Sequence, residues 1–486
     1  MSTQPSLTAS PVAVWPEWLT LTHAEGAPDA GQLSALINEP GGWFKGNLIS
    51  AMTPEAAANT QPITKIRWHS TIQDPGYYEI ELFFGKGGFV ASVRSIKQNL
   101  VYFLLPGSVL KLPNLELSVP GQLESLPEGS TEAGAQASAG ADAQTVTQQA
   151  MILGAGIGTR ILPLTSDTMG VAKPALPLGA NTTVIGQLLL QLARHNVLRC
   201  FVNTFYQAQS VIAALDTAER QATQETGQTV CWVNIPEKRA TGTAGGLNAI
   251  LQTPDKFGAF DPQSPVLIVQ GDAVTNADFT DLLNAHARSG ALLTIGCQRV
   301  SDAEVPLFGI LATPNAEQAD PSGEVTLFLE KPKLEQAGAN RLASCGFYVI
   351  SEALYPLITQ VYQQRLADEQ RKAQAKGLPE PKTLEELDFA KHVFPAVMAQ
   401  YKQHKTPVIW AHQMRGFWSD IGNPAQYLQT LQAIESGALH WKGLERVSPA
   451  GKYNGVVYWP GTSARVQQEH AELSGNILVA EPHQTA

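Results

Sequence analysis

Apolar and polar positions follow one rhythm over most of this chain and another at its two ends. From Gln149 to about Gly437, short apolar runs alternate with stretches that repeat apolar residues three and four apart. Ala150 to Leu153, Leu198 to Val202, Val230 to Ile235, Val266 to Val269 and Ala291 to Gly296 are too short for helices. They are also rich in β-branched residues, so they predict strands. Thr183 to Asn196, Gln207 to Leu215, Ala244 to Leu251 and Phe279 to Ser289 have helical spacing. Strand and helix in turn predict an α/β fold built on a doubly wound, mostly parallel sheet. Ligands on such sheets sit at the carboxyl ends of strands. Gln360 to Lys376 also has a helical pattern, but it is so rich in charge that it predicts a solvated surface helix.

Before this region, residues 12–119 read as an accessory α+β domain. Tyr77 to Phe84, Phe89 to Val93 and Leu100 to Leu104 are strand patterns, and Gly85-Lys86-Gly87-Gly88 is a hairpin turn. Trp15, Trp18, Trp43, Phe44 and Trp68 could furnish its core. Residues 120–148 lose large apolar side chains in favour of Ala, Gly, Ser and Gln. Such a segment buries too little to offset its ordering entropy, which predicts a flexible linker. Residues 447–480 return to short β-like runs broken by turns. The 486 residues therefore divide into a central domain, 149–437, with smaller units on either side.

A net charge of −10 argues against a nucleic-acid partner, since such proteins show a basic face. It leaves room for a nucleotide, which needs only a few local cations. Cys200, Cys231, Cys297 and Cys345 stand far apart in apolar contexts, so they predict buried free thiols rather than a zinc or redox motif. The N-terminus lacks a cationic stretch followed by an apolar core, and no apolar run reaches the length of a membrane span. A reducing cytoplasm is the expected location.

The chemistry concentrates where the first strand stops. Gly154-Ala155-Gly156-Ile157-Gly158-Thr159-Arg160 follows Leu153 at once, and Lys173-Pro174 come soon after. Glycines let backbone N–H groups approach phosphate oxygens, and Arg and Lys add charge. The Walker A loop fails by spacing, because the fifth residue after Gly154 is Thr159 and after Gly156 is Ile161. The G-x-G-x-x-G dinucleotide loop fails at the same two positions.

Gly156-Ile157-Gly158-Thr159-Arg160-Ile161-Leu162-Pro163-Leu164-Thr165 with Lys173-Pro174 resembles the signature of sugar-1-phosphate nucleotidyltransferases. Further elements follow in that family's order. They are Glu237 with Gly242-Thr243-Ala244-Gly245, Gly271-Asp272 after a strand, Glu330-Lys331-Pro332, Ser344-Cys345-Gly346, and Gly416-Phe417-Trp418-Ser419-Asp420-Ile421-Gly422. Leu387-Asp388-Phe389 resembles a family helix read here as packing only. The form around Glu237 is most like mannose-1-phosphate guanylyltransferases.

The resemblance implies a Rossmann-like fold and a reaction of an NTP with a hexose 1-phosphate to give NDP-sugar and pyrophosphate. GTP and mannose 1-phosphate are favoured, with glucose-1-phosphate uridylyl or adenylyl transfer as the alternative. It implies Arg160, Lys173 and Lys331 as catalytic cations. Gly154, Ala155, Gly156, Gly158, Thr159, Glu237, Gly242 and Thr243 would bind the nucleotide, and Gly245, Glu330 and Ser344 the sugar. Asp272 and Asp420 would hold Mg²⁺. Departures are Thr241 for a usual Leu, Ser344 for a usual Asn, and extra residues before Lys173, which predict a bulge there. A sensing protein that binds sugar nucleotides without turnover is the alternative of another class. A homo-oligomer is compatible with either. Many relatives end in a hexapeptide β-helix, and residues 447–480 have room for a truncated coil of one.

Overall fold

A computed structural model describes residues 148–441 apart from 163, 166–168, 259, 378–385 and 402–406. It also describes the strands within residues 20–119, residues 456–459 and 476–480, and single positions beside them. The tryptophan core expected near the N-terminus, any helix of residues 12–119 and the linker of 120–147 lie outside these described residues.

The central sheet contains β1 (Gln148–Leu153), β2 (Val197–Thr204), β3 (Cys231–Pro236), β4 (Val266–Gln270), β5 (Leu293–Arg299), β6 (Leu342–Ile350) and β7 (Ile409–Gln413). Their spatial order is β3-β2-β1-β4-β6-β5-β7. All run parallel except β6, which is antiparallel to both β4 and β5. The order reverses between β1 and β4, which places a crevice at the carboxyl ends of those two strands.

Alternation along β1 shows why these runs became strands. Ala150 and Ile152 join one apolar cluster, while Met151 and Leu153 join another. Each cluster lies on one face of the sheet, as a side-chain period of two requires. Helices α1 (Val184–Arg194), α2 (Ala208–Thr226), α3 (Gly245–Gln252), α4 (Phe279–Ser289), α5 (Tyr355–Ala375), α6 (Phe394–Gln400) and α7 (Pro424–Ser436) cover the sheet. Thr183 caps α1 by accepting from the Gly186 N–H at 3.1 Å, and Asp278 caps α4 by accepting from Asp281 at 3.0 Å. The second helix runs well past Leu215. Ala218 and Ala222 keep its inner face buried until Gly227 ends it in a left-handed turn. The charged helix α5 is anchored by buried Tyr355, Leu357, Ile358 and Val361 at its start and exposes most of its remainder.

Outside this domain, Thr64–His69, Tyr78–Gly85, Gly88–Ser95 and Leu100–Leu104 form an antiparallel sheet, with Gly85 opposite Gly88 at the expected hairpin. The tail completes that sheet. Ile477–Ala480 pairs antiparallel with Leu100–Leu104, setting Leu478 opposite Phe103. Val456–Tyr458 lies parallel beside Ile477–Ala480, as successive rungs of a β-helix would. The other edge of Ile477–Ala480, which a further coil would need, is occupied by the N-terminal strand. An unpaired edge seeks such a partner, and here the two ends of the chain supply it to each other. Val101, Phe103, Leu478, Val457 and Trp459 continue the apolar cluster of the central domain, so the accessory sheet shares its core.

No helix of the described residues is long and apolar enough to cross a membrane. The four cysteines are free, with Cys200, Cys297 and Cys345 buried and Cys231 half-buried.

Candidate active site

The crevice at the switch point is a cleft of about 380 Å³ lined by the glycine loop, Lys173, Glu237, the 240–243 loop and Asp272. At the end of β1, the Gly154 N–H donates to Asn203 Oδ1 at 2.9 Å. Ala155, Gly156, Gly158, Thr159 and Arg160 then line the mouth. Gly158 is left-handed at φ +66°, and an added Cβ would lie 2.9 Å from the Lys173 Cβ. Only glycine suits both the backbone and that close approach. Arg160 follows in a short 3-10 turn and is exposed, free to meet an anion from solvent.

Lys173 reaches the cleft despite the extra residues before it. Among the described residues of this loop, Met169, Val171 and Ala172 fill hydrophobic space in the core. The Ala172 N–H donates to Ser210 Oγ at 3.0 Å. Lys173 is 5% exposed, with Nζ 2.5 Å from Asp272 Oδ2 and 2.8 Å from the Asp420 carbonyl.

Both carboxylates stand on tight backbone. The Gly271 N–H donates to the Leu153 carbonyl at 3.0 Å, which locks the end of β4 beside β1 and aims Asp272 into the cleft. Asp420 precedes Ile421, a buried β-branched residue held at φ +37°. That conformation is strained and persists only where its surroundings enforce it. Asn423 caps α7 by accepting from Gln426 at 2.9 Å, so capping makes no demand on Asp420. Burial pushes the Asp420 carboxyl above the usual range, and Asp272 adds repulsion. Lys173 and Arg160 pull it back.

Two neighbouring carboxylates suit a hard divalent cation that also takes phosphate oxygens and water. Among the described residues no group of three or more His, Cys, Asp or Glu is placed to hold a metal on its own. The donor set fits Mg²⁺ arriving with a phosphate better than a resident structural ion.

Glu237 is fixed twice. Its Oε1 accepts from Asn203 Nδ2 at 2.8 Å and its Oε2 from the Thr241 N–H at 3.1 Å. Gly242 is left-handed at φ +82°, and an added Cβ would fall 2.5 Å from the Leu387 carbonyl oxygen. This contact belongs to a strap. The Leu387 N–H donates to Thr241 O at 2.8 Å, Ala244 N–H to Leu387 O at 2.8 Å, and Phe389 N–H to Thr243 Oγ1 at 2.9 Å. Glu386 and Asp388 are thereby brought into the cleft wall. The packing expected of this segment is done by Leu387 and Phe389, both buried, while Asp388 faces the cleft. Gly245 is buried behind Thr241, where an added Cβ would meet Thr241 Oγ1 at 2.2 Å. It stands behind the cleft wall, not in it.

Glu330 and Lys331 form a second group outside the lining of the main cleft, and Ser344 stands apart from that lining too. Lys331 is exposed and left-handed at φ +48°, with Nζ 4.0 Å from Glu330 Oε1. Burial pushes Glu330 up; Lys331 counters this and Asp388 adds to it. Ser344 is buried, accepts from the Gly346 N–H at 3.3 Å and lies 3.5 Å from the Tyr348 hydroxyl. Asp388 links the groups, since it lines the cleft and acts on Glu330. Asn203, Gln270, Glu386 and Asp388 are cleft residues that motif reading passed over. Only Asp388 carried a signal, an acidic residue between two apolar ones in an otherwise packing segment.

The fold and this crevice define an α/β protein that gathers cations and a glycine-rich loop at the point where phosphates bind in such sheets. The sequence model of the nucleotidyl transferase family matches residues 149–437, and the chain belongs to that family. A glucose-1-phosphate adenylyltransferase of Hydrogenovibrio crunogenus is 26% identical over 57% of this chain and 61% of that protein. One of Rhodopirellula baltica is 28% identical over 59% of each chain. One of Jannaschia sp. is 30% identical over 43% of this chain and 49% of the relative. The chain spans about three fifths of the length of the first two.

Proposed function

We propose that this protein transfers a nucleotidyl group from an NTP to a hexose 1-phosphate, releasing pyrophosphate. A phosphate oxygen of the sugar phosphate bonds to the α-phosphorus as the bond from that phosphorus to the β-phosphate bridging oxygen breaks. Such a transfer needs positioning and charge neutralisation more than covalent help. The observation that supports it most is the convergence of Lys173, Asp272 and Asp420 beside the glycine loop that carries Arg160.

In this reading the loop N–H groups and Arg160 hold the triphosphate, and Lys173 neutralises charge growing on the leaving pyrophosphate. Asp272 and Asp420 would hold Mg²⁺, which when bound acts as a Lewis acid and template on the phosphates. Lys331 holds the attacking sugar phosphate. Glu330 and Asp388 accept hydrogen bonds from sugar hydroxyls, with Ser344 behind them.

The names of the relatives favour ATP and glucose 1-phosphate as substrates. One observation favours GTP, and the sequence form around Glu237, most like mannose-1-phosphate guanylyltransferases, favours mannose 1-phosphate beside it. Glu237 is an acceptor-only side chain at the cleft, which suits the paired N–H donors of guanine and has no donor for adenine N1. A matrix of four NTPs against glucose, mannose and galactose 1-phosphates, read by NDP-sugar formation with Mg²⁺, tests the proposal. Turnover with one base and one sugar supports it and assigns both. Nucleotide binding with no product from any pair moves the chain to the sensing class.

A further inference from the structure

Helix α7 begins just after Asp420-Ile421-Gly422, and Tyr427 lies in its first turns, wholly buried. The Tyr427 hydroxyl donates to the Pro177 carbonyl. Pro177 is tied to Lys173 by a tight turn, in which Ala175 N–H donates to Ala172 O at 2.9 Å and Leu176 N–H to Lys173 O at 3.2 Å. Lys173 Nζ in turn donates to the Asp420 carbonyl at 2.8 Å. These contacts close a ring that runs from Asp420 through α7, Tyr427, Pro177 and Lys173 back to Asp420. The Tyr427 bond is the one side-chain link in that ring that lies outside the cleft.

Behind the ring stands the sheet shared by the two ends of the chain. The Trp459 ring meets Tyr427 edge-on with centroids 6.3 Å apart, and the Trp459 backbone N–H donates to Val479 O at 2.8 Å. Gln432 of α7 donates to Asn476 Oδ1 at 3.0 Å, and Ser108 Oγ donates to the Asn476 carbonyl at 2.6 Å. The accessory sheet therefore packs against α7.

We propose that Tyr427 is a positioning residue for nucleotidyl transfer. It holds Lys173 and Asp420 at a fixed separation, and the accessory sheet serves as its backstop through Trp459. The N-terminal segment and the C-terminal tail thereby act on the reaction without touching substrate. This inference rests on the nucleotidyl-transfer reading. It differs from a purely structural role in what it demands: a buried hydroxyl that only satisfies a buried carbonyl affects stability alone.

Tyr427→Phe removes the hydroxyl and keeps the ring, and Trp459→Leu removes the backstop. Both are compared with wild type for kcat, for KM of each substrate, for the Mg²⁺ concentration giving half-maximal rate, and for thermal unfolding. The expected result is a kcat lower by about tenfold and a raised Mg²⁺ midpoint, with KM for the sugar phosphate within about twofold. Gln432→Ala, which leaves the core intact, is expected to move the same quantities in the same direction and serves if Trp459→Leu does not fold. An unchanged kcat and Mg²⁺ midpoint in Tyr427→Phe, with only the unfolding temperature lowered, overturns the inference. Absence of turnover in the wild type overturns the underlying reading instead.

Discussion

Lys173 places its ammonium 2.5 Å from Oδ2 of Asp272, so a buried cation occupies the position where a metal carboxylate would meet its ion. The pair is enclosed on the lysine side, where the side chain is 6% exposed, and more open on the aspartate side, at 30%. A cation there relieves the repulsion between Asp272 and Asp420. A divalent ion entering alone must compete with it, whereas one arriving with a triphosphate brings anionic oxygens that can draw the ammonium away.

Lys173→Met removes this competitor. Mn²⁺ binding without nucleotide, followed by electron paramagnetic resonance, is expected to tighten by about tenfold. Catalysis is expected to fall by about 10²–10³ through loss of a cation on the departing pyrophosphate. Unchanged Mn²⁺ affinity would show that the ammonium does not guard the carboxylates.

Glu237→Gln tests the base preference. The amide keeps one acceptor for Asn203 or Thr241 and gains a donor, so the ratio of kcat/KM for GTP over ATP should fall by about tenfold. If the ratio holds, Glu237 serves only to fix the loop through Asn203 and Thr241.

Gly242→Ala puts a Cβ 2.5 Å from the Leu387 oxygen on a backbone held at φ +82°. The left-handed conformation alone costs about 1–2 kcal/mol with a Cβ present. The strap that carries Glu386 and Asp388 must also shift. Chemical denaturation should show that loss of stability, and KM for the sugar phosphate should rise. A variant with wild-type stability and KM would contradict the strap.

Acid should weaken the fold partly through His286. Burial lowers its pKa from 6.5 to about 4. Ser351 Oγ donates to Ala291 O, so it accepts from Nε2–H of His286, and Nδ1 accepts from Thr294. Protonation of Nδ1 breaks that bond. The native ring stays neutral where the unfolded chain takes up a proton, so stability is complete above about pH 6.5 and falls as pH drops towards 4. The full loss is about 3 kcal/mol. Denaturation midpoints measured from pH 7 to 4 should decline less steeply in His286→Gln than in wild type, and parallel declines would exclude this ring as a cause.

The central domain was legible because its strands are short apolar runs and its chemistry sits where they end. Gly158, Asp272 and Glu237 could be found through the family motifs that hold them, and each stands shortly after a strand of the sheet. Three features were not legible, each for a contact between distant segments. Asp388 enters the cleft only because Leu387 bonds to Thr241 and Ala244. Lys173 lines the cleft with Met169 and Val171 before it seated in core space. The tail joins Leu100–Leu104, a pairing between the two ends of the chain that no local pattern announces.

Pyrophosphate exchange tests the central claim most directly. With Mg²⁺ and labelled pyrophosphate, the wild type is expected to move label into the NTP only when the matching NDP-sugar is present, and Asp272→Asn is expected to lower that rate by about 10² or more. Exchange equal in wild type and Asp272→Asn, or none with any NDP-sugar, would contradict the account.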